Sequence, residues 1–230
     1  KTKFKPRFFE LKIEGNNELT PAPIKLRGKD GKAVYIYGII DRVDTYEENG
    51  DVYVRVIDYK TGAKDFSPED IEKGRNLQMF LYLKAIMESD KAKFRESLGL
   101  GKDGKIIPAG VIYVKTSLAD AHIDRDSDEL ALDAVKKNQL REGMTLDGEM
   151  NDALMGEDYI PGKSKREAAK YRYSEEGFDE IMQKVEDSVL RISEGIKSGR
   201  AEAEPNLDGT FSPCDFCEYK PVCRNVKVKK

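Results

Sequence analysis

The sequence predicts an α/β domain: a central mixed sheet flanked by helices, with an insertion and a C-terminal cysteine tail. Three observations predict it. Residues 33–44 and 52–60 are rich in Val, Ile and Tyr and are separated by Glu47-Glu48-Asn49-Gly50, whose Asn-Gly pair is a hairpin signal. Two helical patterns follow, over 67–88 and 174–198, each with a broad apolar face. A further apolar run, Ile106 to Lys115, reads as a central strand between them.

Residues 4–13 read as a short strand, and the hairpin 33–60 follows. Ser67-Pro68-Glu69-Asp70 is a helix start: a capping hydroxyl, a proline suited to the first turn, and two acids at the positive end of the dipole. That helix is expected to run to about Glu88, burying Ile71, Leu77, Phe80, Leu81 and Leu83. Residues 116–172 are polar, with several Gly and Asp, and read as an insertion holding one or two short helices. From Ser174, the positions Phe178, Ile181, Met182, Val185, Val189 and Ile192 make one stripe of a long helix. The expected organisation is a core over 1–200 and a tail over 201–230, which opens on a two-proline linker.

Composition narrows the function classes. The chain has 230 residues, 39% hydrophobic and 36% charged, with 40 Lys and Arg against 43 Asp and Glu. A net charge of −3 excludes a generic basic DNA-coating protein, so a nucleic-acid role needs local basic patches. No apolar run reaches the length of a membrane span and no signal-peptide pattern opens the chain, so a cytoplasmic protein is expected. Lys1 rather than Met stands first, as in a processed product or a piece of a longer protein. The three cysteines all fall between 214 and 223, a pattern of metal ligands rather than of a disulfide framework.

The chemistry concentrates on the hairpin. Asp58 and Lys60 lie two apart in a strand and share a face, and the paired strand brings Asp41 toward Asp58. Two carboxylates and a lysine suit a hard divalent ion, Mg²⁺ or Mn²⁺, that activates water and polarises a phosphate. The lysine can orient that water or stabilise the charge built up on the phosphate. Alone, an Asp-x-Lys is equally a salt bridge at a sheet end. Gln78 and Tyr82, four apart on one helix face, can present an amide and a phenol to the same site, or form an ordinary polar face. Asp44 is the competing acid, whose alternative is an ion pair with Arg42 or Arg55.

Together these residues resemble a known family. Gly38-Ile39-Ile40-Asp41-Arg42-Val43-Asp44, Val56-Ile57-Asp58-Tyr59-Lys60-Thr61-Gly62 and Gln78-x-x-x-Tyr82 resemble the PD-(D/E)XK nuclease core of RecB type, over roughly residues 8 to 115. The resemblance implies a restriction-endonuclease-like fold. It implies Asp41 and Asp58 as metal carboxylates, the Tyr59 carbonyl as a further ligand, Lys60 as the catalytic lysine, and Gln78 with Tyr82 as the accessory motif. Glu10 resembles a glutamate seen early in some members.

Cys214-x2-Cys217-x5-Cys223 can hold zinc or an iron–sulfur cluster, or can be three free thiols. Placed after a RecB-type core, this tail resembles that of AddB nuclease domains; CRISPR-associated exonucleases of the superfamily share it. In those families a fourth, upstream cysteine completes a [4Fe–4S] cluster, and an upstream histidine binds the catalytic metal. This chain has neither. The resemblance implies a metal-dependent DNA exonuclease module of a bacterial helicase–nuclease that processes double-strand breaks, degrading the strand that ends 5′. Its implied partners are DNA, an AddA-like helicase partner and the remainder of an AddB-like chain. The alternatives are a non-catalytic DNA-binding or scaffold module that keeps the nuclease fold, a redox or zinc module, and a CRISPR-associated exonuclease.

Two further features remain. His122, beside Asp124 and Asp126, reads as an exposed loop residue or as a metal ligand with those acids. Lys163 to Arg166 and Lys170-Tyr171-Arg172-Tyr173 interleave cations with tyrosines, as a single-strand contact or as a solvated helix face.

Overall fold

The computed structural model describes residues 2–61, 67, 69–116, 141–147, 169–202, 205 and 213–223. The chain falls into two compact units, Lys1–Leu190 and Arg191–Lys230.

The first unit is built on a six-stranded mixed sheet. Its strands are β1 (Lys5–Ile13), β4 (Gly38–Glu48), β5 (Asp51–Lys60), β6 (Ile106–Lys115), β7 (Arg141–Leu146) and β8 (Arg172–Tyr173), in the spatial order β1-β4-β5-β6-β7-β8. The β5/β6 and β7/β8 pairs are parallel and the other pairs antiparallel. The β4–β5 hairpin turns where the sequence predicts. Asn49 and Gly50 both take positive φ (53° and 91°), as a two-residue loop matched to strand twist requires.

The structure departs from the sequence reading in four places. The run 33–44 is not one strand. It breaks at Tyr37 into β3 (Ala33–Ile36), which pairs with β2 (Ile24–Arg27) in a separate two-stranded ribbon, and β4. The helix expected over 67–88 is two helices, α1 (Glu69–Glu72) and α2 (Gln78–Met87). Gly74 and Asn76 take φ of 78° and 57°, which ends a helix. The Asp70 carboxylate holds that break by accepting Arg75 Nη2 at 2.6 Å and Asn76 Nδ2 at 3.0 Å. A short helix, α3 (Ala92–Ser97), went unpredicted. Finally, 116–172 is not wholly an excursion, since β7 and β8 extend the main sheet. The helices expected within it lie outside the described residues.

The last helix, α4 (Glu175–Lys197), forms as its periodicity predicts, burying Phe178, Ile181, Met182 and Val185. The main core lies between one sheet face, bearing Val43, Val52, Val54, Val56, Val111 and Tyr113, and α2 with the first part of α4. Ser188 donates to the Ile71 carbonyl at 3.0 Å, tying α4 to α1. A smaller cluster, Phe4, Ile57, Ala109 and Ile112, lies on the other face of the sheet.

Lys84 of α2 is buried and ion-paired with Glu88 and Glu186. Burial pulls its ammonium down, but the two carboxylates outweigh that and its pKa is raised. A raised lysine stabilises the fold below its unfolded value and ceases to do so as pH climbs through the folded one. Lys84→Met is therefore expected to lower stability by about 2 kcal/mol at neutral pH. The gap from the parent should narrow above about pH 10.5, read by urea unfolding at several pH values.

Candidate active site

The hairpin register positions the first two acids. Arg42 lies opposite Ile57, so the next step sets Asp41 across from Asp58. The contact is direct: the Tyr59 backbone N–H donates to Asp41 Oδ2 at 3.0 Å. Asp58 is 3% exposed, and its Oδ2 lies 2.6 Å from Lys60 Nζ, on a side chain 35% exposed. A buried carboxylate thus meets a lysine whose other side is open to water.

Tyr113 of β6 pairs with Asp58 and forms the floor of this site. Its ring centroid is 5.9 Å from Lys60 Nζ. Burial pushes the phenol up strongly, and the charge of Asp58 and the neighbouring Tyr82 push it further. Sequence reasoning missed Tyr113, because Val-Ile-Tyr-Val looks like plain core. Its register against Asp58 across a parallel pair is the only signal, and a sequence does not display it.

On α2, Gln78 Nε2 donates to the Tyr82 hydroxyl at 2.7 Å. The Tyr82 ring presses on Gly38 of β4, where a Cβ would stand 2.7 Å from Cε1. Only glycine allows this approach. Gly38→Ala is expected to displace Tyr82, costing about 1–3 kcal/mol of stability. Tyr82→Phe, which keeps the ring and drops the Gln78 bond, is expected to cost about 1 kcal/mol. Urea unfolding of both variants checks these values.

Behind the strand, Tyr59 points away from Asp58 and Lys60. Its hydroxyl accepts Arg42 Nη1 at 3.0 Å, so this residue is held by its amide on one side and its phenol on the other. Arg42 is in turn clamped by Asp44, through Nε at 2.6 Å and Nη2 at 2.9 Å. Burial opposes the charge on Arg42, but Asp44 and Tyr59 more than compensate and its pKa is raised. Asp44 also accepts Arg55 Nη2 at 2.7 Å, with both side chains fully buried. Asp44 is thus committed to two guanidiniums, which leaves Asp41 as the acid beside Asp58.

The other sequence candidates fare differently. Glu10 lies across β1 from Asp41, as Phe9 pairs with Arg42 and Leu11 with Ile40. It takes an unusual φ of 50° and is exposed. It does not join Asp41 and Asp58: among the described residues no three His, Cys, Asp or Glu side chains gather to hold a metal. Tyr171 and Tyr173 are half-buried against the core, and Tyr173 meets Phe178 edge-on at 6.4 Å. They are packing residues rather than an open stacking surface. His122, Gly62 and Lys163 to Arg166 lie outside the described residues.

In the second unit, Cys214 and Cys223 are half-buried and Cys217 is exposed. Cys214 sits in a short 3₁₀ turn, Pro213–Phe216, and the Cys223 N–H donates to the Tyr219 carbonyl at 2.8 Å. The three sulfurs are not gathered into a metal-holding group, and a cubane cluster takes four thiolates. These residues do not fit a [4Fe–4S] cluster by themselves. The hairpin residues do fit Mg²⁺ or Mn²⁺: hard carboxylate oxygens at adjacent strand ends, for an ion that needs only one or two of them besides water. Among the described residues no helix is long and apolar enough to cross a membrane.

Comparison with known proteins agrees with this geometry. The family model of the PD-(D/E)XK nuclease superfamily matches residues 1–224. Three similar curated proteins are each named as the B subunit of an ATP-dependent helicase/deoxyribonuclease. That of Clostridium acetobutylicum is 30% identical over 96% of this chain and 19% of its own length. That of Thermoanaerobacter sp. is 31% identical over 91% of this chain and 18% of its own. That of Clostridioides difficile is 32% identical over 96% and 20%. The chain spans about a fifth of the length of these relatives. A six-stranded mixed sheet flanked by helices, under a family match along nearly the whole chain, places this protein in the PD-(D/E)XK nuclease superfamily.

Proposed function

We propose that this domain hydrolyses DNA phosphodiester bonds with Mg²⁺ or Mn²⁺, as the exonuclease module of an AddB-type helicase–nuclease acting at double-strand breaks. The observation that carries the proposal is the buried Asp58 paired with half-open Lys60, directly across the hairpin from Asp41.

Asp41 and Asp58 would hold the ion, with the Tyr59 carbonyl as the further donor. When bound, the ion supplies a water acidic enough to attack and a charge that offsets the phosphate oxygens. Lys60 has its ammonium at the Asp58 carboxylate; its role would be to orient the attacking water or stabilise the pentacovalent phosphate. Gln78 and Tyr82 offer an amide and a phenol that position the strand. The Asp44–Arg42–Tyr59 chain holds the strand end from behind. The helicase partner and the rest of the polypeptide would deliver a single strand. The tail cysteines enter no step.

The test is cleavage of end-labelled linear DNA by this chain and by its full-length parent, with Mg²⁺, with Mn²⁺ and with chelator. Cleavage with either ion that chelator abolishes is the expected result. No cleavage by either protein with either ion would remove the enzymatic reading.

A further inference from the structure

We propose that the β2–β3 ribbon and its continuation into β4 form a stacking track for single-stranded nucleic acid that ends at the Asp41–Asp58 site. The proposal rests on the nuclease reading and assigns a surface to its substrate.

The ribbon has one buried and one open face. Ile24 and Leu26 are buried, so Lys25, Arg27 and, across the pair, Tyr35 stand on the other side. Tyr35, Tyr37 and Ile39 are 53%, 64% and 47% exposed. They follow one another at alternate positions from β3, through the break at Tyr37, into β4. Single exposed apolar residues are ordinary on a protein surface, whereas three in such close succession are not.

The electrostatics select the occupant. Residues 24–37 carry Lys25, Arg27, Lys29 and Lys32 against the single acid Asp30, in a chain whose net charge is −3. The Asp30 carboxylate accepts the Lys32 N–H at 3.0 Å, within its own turn. Lys25 Nζ lies 5.7 Å over the Tyr35 ring, and Lys12 is paired across from Ile39. Flat rings flanked by cations match bases and phosphates of a single strand: stacking tolerates any base, and the cations neutralise the backbone. The run's direction matters too. Ile39, the last of the three, is two residues before Asp41 on β4.

The experiment is fluorescence anisotropy of a labelled short oligothymidylate with the 230-residue chain in EDTA, where no metal-dependent cleavage occurs. Tyr35→Ala/Tyr37→Ala is expected to weaken binding at least about tenfold, and Tyr35→Phe/Tyr37→Phe to restore it, because the ring rather than the hydroxyl stacks. Lys25→Ala/Arg27→Ala is expected to flatten the slope of log affinity against log salt by about 1.4. Circular dichroism melting checks that each variant folds. Affinity within about twofold of the parent in the folded tyrosine variant overturns the track. So does unchanged DNA affinity with loss of binding to the remaining helicase–nuclease polypeptides, which would make the face a protein interface. Because binding is read without catalysis, the two readings fail separately. A parent that cleaves DNA beside variants that bind normally sinks only the track. A parent that never cleaves, beside variants that lose binding, sinks only the nuclease.

Discussion

Asp58→Ala and Lys60→Ala are each expected to lower DNA cleavage at least about a hundredfold, while the melting transition stays cooperative. The two side chains form one ion pair at a strand end, and the lysine is 35% exposed. Without Asp58, the Lys60 ammonium can turn to water rather than stay buried and unpaired, so the cost to folding is modest. The cost to chemistry is large under the proposed function, because one change removes a carboxylate that would hold the ion and the other the ammonium beside that carboxylate. Asp58→Asn sharpens the test: it keeps the volume beside Tyr113 and removes only the charge. The double variant is expected to fall little below either single one, as for groups acting as a unit. Near-parental cleavage by either single variant would remove the site assignment. A Mg²⁺ titration adds a second readout, since loss of a ligand raises the ion concentration needed whereas loss of the lysine does not.

The largest effect on stability is expected from Asp44→Ala, about 3–5 kcal/mol, or a melting temperature lower by about 10 °C. Asp44 is the common partner of Arg42 and Arg55, and the Arg55–Asp44 pair is fully buried. Removing the carboxylate leaves a guanidinium in the interior without its counter-charge. Replacing both partners, as Asp44→Leu/Arg55→Met, is expected to cost less than the single change, because the fully buried guanidinium goes with its carboxylate and only Arg42, whose side chain is 16% exposed, is left to turn toward water. Urea unfolding of the three proteins decides it. A single variant within about 1 kcal/mol of the parent, or a double variant worse than the single, would contradict the account. Arg42 also loses its clamp in Asp44→Ala, and with it the hold on the Tyr59 hydroxyl. Cleavage by the folded fraction is therefore expected to fall as well, through misplacement of the Asp58-Tyr59-Lys60 segment.

The hairpin was legible because its signals are local. Alternating β-branched residues and an Asn-Gly turn set the register, and that register sets Asp41 against Asp58. The α4 stripe was legible for the same reason, a helical period sustained over 23 residues. The helix over 67–88 was misread because apolar spacing runs across Gly74 and Asn76, and spacing alone does not reveal a positive φ. The break matters to the site, since it lets α2 begin at Gln78 and set Tyr82 against Gly38. The β2–β3 ribbon was missed because four-residue strands carry too short a pattern to distinguish from loop.

By itself, then, the sequence determined the sheet-and-helix plan, the acids and lysine of the hairpin and the superfamily they resemble, since residue type and short spacing carry that information. Tertiary structure alone decided three other matters. Asp44 is consumed by two arginines, Tyr113 becomes the floor beneath Asp58, and Tyr35 and Tyr37 stay open to solvent while Tyr171 and Tyr173 pack inward. The physical reason is common to all three. Whether a charge is paired or a ring is buried depends on which strand or helix lies across from it. Those partners come from chain segments far apart in sequence: Asp58 and Tyr113 meet only through the parallel pairing of β5 with β6.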